Sequence, residues 1–181
     1  MNLANQLSLF RILLVPGIIA CLVYYHPERD GLRYVALGLF TVAMVSDALD
    51  GLLARSQHQQ SQLGALLDPI ADKLLILSTL ISCSVIHGLP PWMRLPAWFN
   101  LVVISRDAIL IAGSIILFFV QGRWSGIQPN WLGKCTTVAQ MSVIPTLLLG
   151  LPVKSPIIGL ATCLTVLSGI GYIRQGIRLL G

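Results

Sequence analysis

The sequence predicts an all-α integral membrane protein of six transmembrane helices, and three observations carry that prediction. Only 10% of the 181 residues are charged, against about a quarter in soluble domains, and 55% are hydrophobic. Mean hydropathy is +0.81. Apolar runs near the roughly 20 residues needed to cross a hydrocarbon core recur along the chain, separated by short polar or Pro/Gly-containing stretches.

The runs lie at 9–25, 34–54, 64–87, 97–120, 135–151 and 156–174. The first is not expected to be a removable signal peptide, because no basic region precedes it and no small-residue cleavage site follows it. The second and third reach spanning length only if they include Asp47 and Asp50, and Asp68 and Asp72. Trp92, Trp98, Trp124 and Trp131 flank the spans as an aromatic belt does. With no low-complexity linker and no internal repeat, residues 1–181 are expected to form a single domain. Cys21, Cys83, Cys135 and Cys163 lie far apart in apolar stretches and are read as packing residues rather than a disulfide framework.

Six spans put both termini on one side. That side, with the 2–3 and 4–5 connections, holds Arg11, Arg55, Arg123, Lys134, Arg174 and Arg178. The opposite side holds Arg29, Arg33, Arg94 and Lys154. Six basic residues against four place the termini and the 2–3 connection in the cytoplasm, with a bacterial inner membrane as the expected location. The net charge of +5 suits an anionic lipid surface, and no nucleic acid is expected as a partner.

Of the seven acids, only Glu28 and Asp30 lie in an evident loop. Asp47, Asp50, Asp68, Asp72 and Asp107 sit at or within membrane depth, where a carboxylate costs a few kcal/mol and is paired, cavity-facing and functional as a rule. Asp47 and Asp50 are three residues apart and Asp68 and Asp72 four, so each pair shares a helical face. The connector 55–62 is short and polar, which makes the two helices antiparallel neighbours and brings the pairs together near one membrane face. Four like charges in a low dielectric demand either raised pKa values or cations. All-oxygen ligation selects hard ions, Mg²⁺ or Mn²⁺, and two divalent ions would balance four carboxylates in a polar, metal-containing cavity near the cytoplasmic face. A pair of hard cations beside an arginine suits phosphoryl chemistry, and the small residues Gly51, Ala54 and Gly64 would let a diphosphate approach. The same small residues also serve tight helix contacts.

The string Asp47-x2-Asp50-Gly51-x2-Ala54-Arg55-x8-Gly64-x3-Asp68-x3-Asp72 matches every fixed position of the signature of the CDP-alcohol phosphatidyltransferase family, and the chain resembles that family throughout. The segment from Asn2 through Asn5 to Arg11 is similar to the family's N-terminal pattern, with Ala4 in place of the usual proline. The resemblance implies an enzyme that moves a phosphatidyl group from CDP-diacylglycerol to an acceptor hydroxyl, releasing CMP. It implies that Asp47, Asp50, Asp68 and Asp72 hold two divalent cations, that Asp72 is the general base, and that Gly51, Ala54, Arg55 and Gly64 line the CDP-lipid site. It also implies a homodimer. Arg106, Lys134, Arg11 and Asn5 are candidate contacts to acceptor or lipid phosphates.

For the acceptor, members that make phosphatidylglycerophosphate carry an A-R-E pattern with a second arginine seven positions after the Glu, and a G-K-x-K-T element. Here Ser105-Arg106-Asp107 is followed by Ser114, and Gly133-Lys134-Cys135-Thr136-Thr137 has Thr136 at the second cation position. A phosphate dianion would lose charge-assisted hydrogen bonds there. The reading therefore leans to phosphatidylglycerol as acceptor, a cardiolipin synthase, with glycerol 3-phosphate as the alternative. Prenyltransferases need more spans, aspartyl proteases need two aspartates in a different context, and a cation channel or transporter would not require the glycines and Arg55 at these offsets.

Overall fold

In a computed structural model the chain is described over residues 3–57, 62–121 and 131–180, with the side chains of 3–5, 29, 48–57, 62–68, 117–118, 121 and 179–180 left aside. Six α-helices account for nearly all of it: α1 (Leu3–Val23), α2 (Gly31–Gln57), α3 (Gln62–Val85), α4 (Ala97–Gln121), α5 (Trp131–Leu148) and α6 (Lys154–Leu180). A short 3₁₀ turn at Pro27–Arg29 joins α1 to α2. Among the described residues, three helices are long and apolar enough to cross a membrane, over Gln6–Val23, Ala97–Ile116 and Lys154–Arg178. The other three mix charge or polarity into their runs: the aspartates in α2 and α3, and Lys134 and Gln140 in α5.

Two features of the side chains show which solvent these helices suit. Large apolar residues are exposed along all six helices, among them Leu13, Val42, Leu74, Leu101, Val138 and Leu167, as suits surfaces that face lipid or a partner. Hydroxyls, conversely, turn inward to their own backbone. Thr41, Ser46, Thr79, Ser82, Ser114, Thr136, Thr137, Thr146, Thr162 and Thr165 each donate to the carbonyl four residues earlier. A hydroxyl with no water at hand has that option within its own helix.

The chain divides into two compact units, residues 1–95 with 147–150, and 96–146 with 151–181. In the first, α1 packs against both α2 and α3. Close approach is possible because the buried faces of α2 and α3 are lined by Ala36, Ala43 and Ala71, and because Gly17 of α1 lies against Leu39 of α2. The segment after α3 is tied to its own backbone. Arg94 donates through Nε to the Leu89 carbonyl, Leu95 N–H donates to Cys83 O, and Leu89, Met93 and Leu95 are buried.

The 147–150 stretch ends α5 in a Schellman turn: Leu151 N–H donates to Thr146 O and Gly150 N–H to Leu147 O. Gly150 carries the left-handed φ of 66° that this turn requires, and a Cβ there would press on the Trp92 ring at 3.2 Å. That ring also takes the Arg33 guanidinium 5.1 Å from its centroid, and Arg33 pairs with Asp30 at 2.7 Å. Trp92, expected only as an interfacial belt residue, is thus a packing centre.

In the second unit α4 packs on α6 around Phe99, Val103, Ile158 and Ala161. Helix α5 joins α6 by polar bonds, from Thr136 Oγ1 to the Leu164 carbonyl and from Gln140 Nε2 to Thr165 Oγ1. All four cysteines are free, as expected, but only Cys83 is buried, while Cys135 and Cys163 are exposed.

Candidate active site

Helix α1 is apolar, yet Arg11 at its third turn is fully buried. A guanidinium cannot shed its proton, so a site this deep must supply negative charge. Two carboxylates do so. Arg11 Nη1 donates to Asp47 Oδ1 of α2 at 2.8 Å, and the same nitrogen meets Asp72 Oδ1 of α3. Aspartates 25 positions apart in sequence are therefore brought within two hydrogen bonds of each other, through one nitrogen of one cation. The convergence expected of α2 and α3 is present for this pair. What the sequence did not reveal is that α1 is their common packing partner and delivers the charge that lets them meet.

The signature is helical throughout its described parts. Asp47 to Arg55 lies in α2, which runs on to Gln57, and Gly64 to Asp72 lies in α3. The side chains of Asn5, Asp50, Gly51, Ala54, Arg55, Gly64 and Asp68 fall outside the described residues. Among the described residues no three acidic, imidazole or thiol side chains gather as a metal site would. The donor set present nevertheless fits hard cations. Asp47 and Asp72 keep 38% and 28% of their side chains accessible, and carboxylate oxygens are the donors that such cations take.

A second cluster lies in the other unit. Arg106 of α4 is buried, with Nη1 donating to Asp107 Oδ1 and Nη2 to Ser168 Oγ of α6, both at 2.9 Å. The Tyr172 ring of α6 lies 5.2 Å from the guanidinium carbon. From α5, Gly133 closes the cluster, since a Cβ there would sit 3.3 Å from Arg106 Nη2 and would collide with the Tyr172 hydroxyl. The Nε–H of Arg106 is buried without an acceptor. Lys134, next along, is exposed. Sequence reading identified Arg106 and Lys134 but not Ser168 and Tyr172, which lie more than 60 residues downstream in a helix that bears no motif. The Ser114 and Thr136 hydroxyls are consumed by helix carbonyls.

The buried arginine thus holds together Asp47 and Asp72, the first and last of the signature's eight positions. Residues 1–168 match the CDP-alcohol phosphatidyltransferase family, and the chain belongs to it. It is similar to a Mycobacterium tuberculosis protein named a probable phosphatidylglycerophosphate synthase, at 34% identity over 99% of this chain and 84% of that protein. The Escherichia coli CDP-diacylglycerol–glycerol-3-phosphate 3-phosphatidyltransferase is 35% identical over 81% of this chain and 76% of its own length. A second M. tuberculosis protein, provisionally named a cardiolipin synthase, is 36% identical over 83% of this chain and 66% of its own length. The chain is thus a phosphatidyl-transferring enzyme.

Proposed function

We propose that this enzyme transfers the phosphatidyl group of CDP-diacylglycerol to the hydroxyl of glycerol 3-phosphate, releasing CMP and forming phosphatidylglycerophosphate. The observation that supports the acceptor is the span of likeness: the M. tuberculosis protein named for phosphatidylglycerophosphate synthesis matches over 99% of this chain and 84% of its own length, against 83% and 66% for the one named for cardiolipin. It reverses the order that Ser114 and Thr136 suggested. A second reading, phosphatidylglycerol as acceptor, keeps the support of those two residues, whose hydroxyls point to backbone carbonyls where a cation would grip a dianion.

Asp47, Asp50, Asp68 and Asp72 are the residues to hold two divalent cations. When bound there, Mg²⁺ or Mn²⁺ supplies positive charge against the diphosphate and the departing CMP. Asp72 accepts the acceptor's hydroxyl proton as the new oxygen–phosphorus bond forms and the bond to CMP breaks. Arg55 faces the nucleotide phosphates, with Gly51, Ala54 and Gly64 leaving room for them. Arg106, through its unclaimed Nε–H, and Lys134 meet the acceptor phosphate. All six helices are read as spans, because each exposes apolar residues and the charges that lower the hydropathy of α2 and α3 include Asp47 and Asp72 of the first cluster. The whole chain acts as one domain in a bacterial inner membrane, as a homodimer with the site facing the cytoplasm.

Purified protein with CDP-diacylglycerol and Mn²⁺, offered glycerol 3-phosphate, phosphatidylglycerol, inositol phosphate and serine in turn, tests this by CMP release and by the lipid formed. Release with glycerol 3-phosphate is expected. Release with phosphatidylglycerol alone selects the second reading, and release with neither removes both.

A further inference from the structure

Three helices meet at the Arg106 guanidinium, and what α6 contributes is an aromatic ring and a hydroxyl rather than a charge. Both terminal nitrogens are engaged, Nη1 by Asp107 and Nη2 by Ser168, so the plane of the group is fixed by its own helix and by α6. The Tyr172 ring then covers the guanidinium, and its hydroxyl reaches the first turn of α5 at the position where Gly133 has no side chain. That turn is the positive end of a helix dipole. A buried cation pressed against it is repelled, and the cation–π contact together with Asp107 offsets the repulsion and holds the guanidinium where it is. Loss of the ring would let the long side chain relax away from α5 and carry the Nε–H with it.

We infer that Tyr172 is a positioning residue for the acceptor: it fixes the Arg106 guanidinium against α5, and Gly133 is the position that admits it. This rests on the reading of Arg106 as an acceptor contact. Tyr172 touches no substrate itself, so its effect belongs to acceptor affinity rather than to CDP-diacylglycerol affinity or to the proton transfer at Asp72. A merely structural tyrosine would lower both affinities and the folded yield together.

The test is steady-state kinetics with the acceptor that supports CMP release, glycerol 3-phosphate on the first reading, and CDP-diacylglycerol varied separately. Tyr172→Leu is expected to raise the acceptor KM by about three- to tenfold, the range a lost cation–π contact supplies. The KM for CDP-diacylglycerol and kcat should stay within about twofold, and Tyr172→Phe, which keeps the ring, should restore the acceptor KM. Gly133→Ala should reproduce Tyr172→Leu, because its methyl displaces the hydroxyl, and should add little in the Tyr172→Leu background. If Tyr172→Leu does not fold, Gly133→Ala carries the test with every α6 side chain kept. Equal rises in both KM values, or a Gly133→Ala effect of the same size with and without Tyr172, would overturn the inference. Arg106→Lys separates the two layers. If it raises the acceptor KM while Tyr172→Leu does not, only the positioning role fails; if it leaves the acceptor KM unchanged, the reading of Arg106 fails and the inference with it.

Discussion

Arg11 and Asp72 carry opposite charges in one contact, yet their replacement has different consequences. With Asp72 as the proposed proton acceptor, Asp72→Asn is expected to lower turnover by about 100-fold or more, in the range of positioned general bases, with CDP-diacylglycerol binding largely intact. CMP release set beside nucleotide binding checks this, and parallel loss of both would make Asp72 purely a ligand. Arg11 is a counter-charge. Removing it as Arg11→Met leaves two carboxylates facing each other, partly accessible to water and therefore partly screened. A cost of about 2 kcal/mol, the scale of a hydrogen bond to a charged group, is expected in chelator-treated protein. Added Mn²⁺ should recover most of it, since divalent ions at the same carboxylates restore the missing positive charge. Thermal midpoints with chelator and with Mn²⁺ decide the matter: a deficit that metal does not reduce would mean that Arg11 acts by packing alone. Residue spacing made the aspartates legible, because i,i+3 and i,i+4 offsets fix a face whatever the tertiary structure. Arg11 was legible as a motif residue but not as their partner. Which buried cation answers which carboxylate depends on how α1 lies between α2 and α3, and no periodicity encodes that.

At the scale of the elements, helix starts and ends follow the local rules more closely than spanning length does. The expected second span, 34–54, grows in the structure to Gly31–Gln57, and the sixth, 156–174, to Lys154–Leu180. Hydropathy sees only the stretch that suits lipid, whereas the backbone hydrogen-bond ladder continues into polar sequence at no penalty. The stop of α5 was legible in principle. Gly150 followed by Leu151-Pro152 is a C-terminal signal, and the observed Schellman turn uses it. Not legible was the second demand on Gly150, the Trp92 ring stacked against its α-carbon from a loop almost 60 residues earlier. Gly150→Ala meets both demands at once, a left-handed φ of 66° and a contact at 3.2 Å. A loss of about 1–2 kcal/mol is expected from the backbone alone, and a somewhat larger one if the ring cannot shift. Trp92→Leu should relieve the steric part, so the double variant is expected to be less destabilised than the sum of the two single changes. Strict additivity in thermal midpoints would show that only the backbone conformation matters.

For the molecule as a whole, the surface is the decisive property. It exposes large apolar side chains on every helix while hydroxyls turn inward to carbonyls, the arrangement that a hydrocarbon solvent selects and water does not. Exposure of an apolar helix face in such a protein is expected to be exposure to lipid. Cys163 separates the two meanings. It is accessible on α6 near the middle of the Lys154–Arg178 span, and water is needed to form the thiolate that reacts with a maleimide. In sealed membranes, Cys163 should resist a membrane-impermeant maleimide at a pH where the same residue reacts fully after denaturation in detergent. Cys83, buried within the protein, should behave alike in both membranes and mild detergent, so the contrast between mild detergent and membrane belongs to Cys163 and Cys135. Mass spectrometry of the labelled peptides reads the outcome residue by residue. Ready labelling of Cys163 in intact membranes would mean that α6 borders water along this face, and the six-span arrangement would have to give way to one in which α6 lies at the edge of an aqueous cavity.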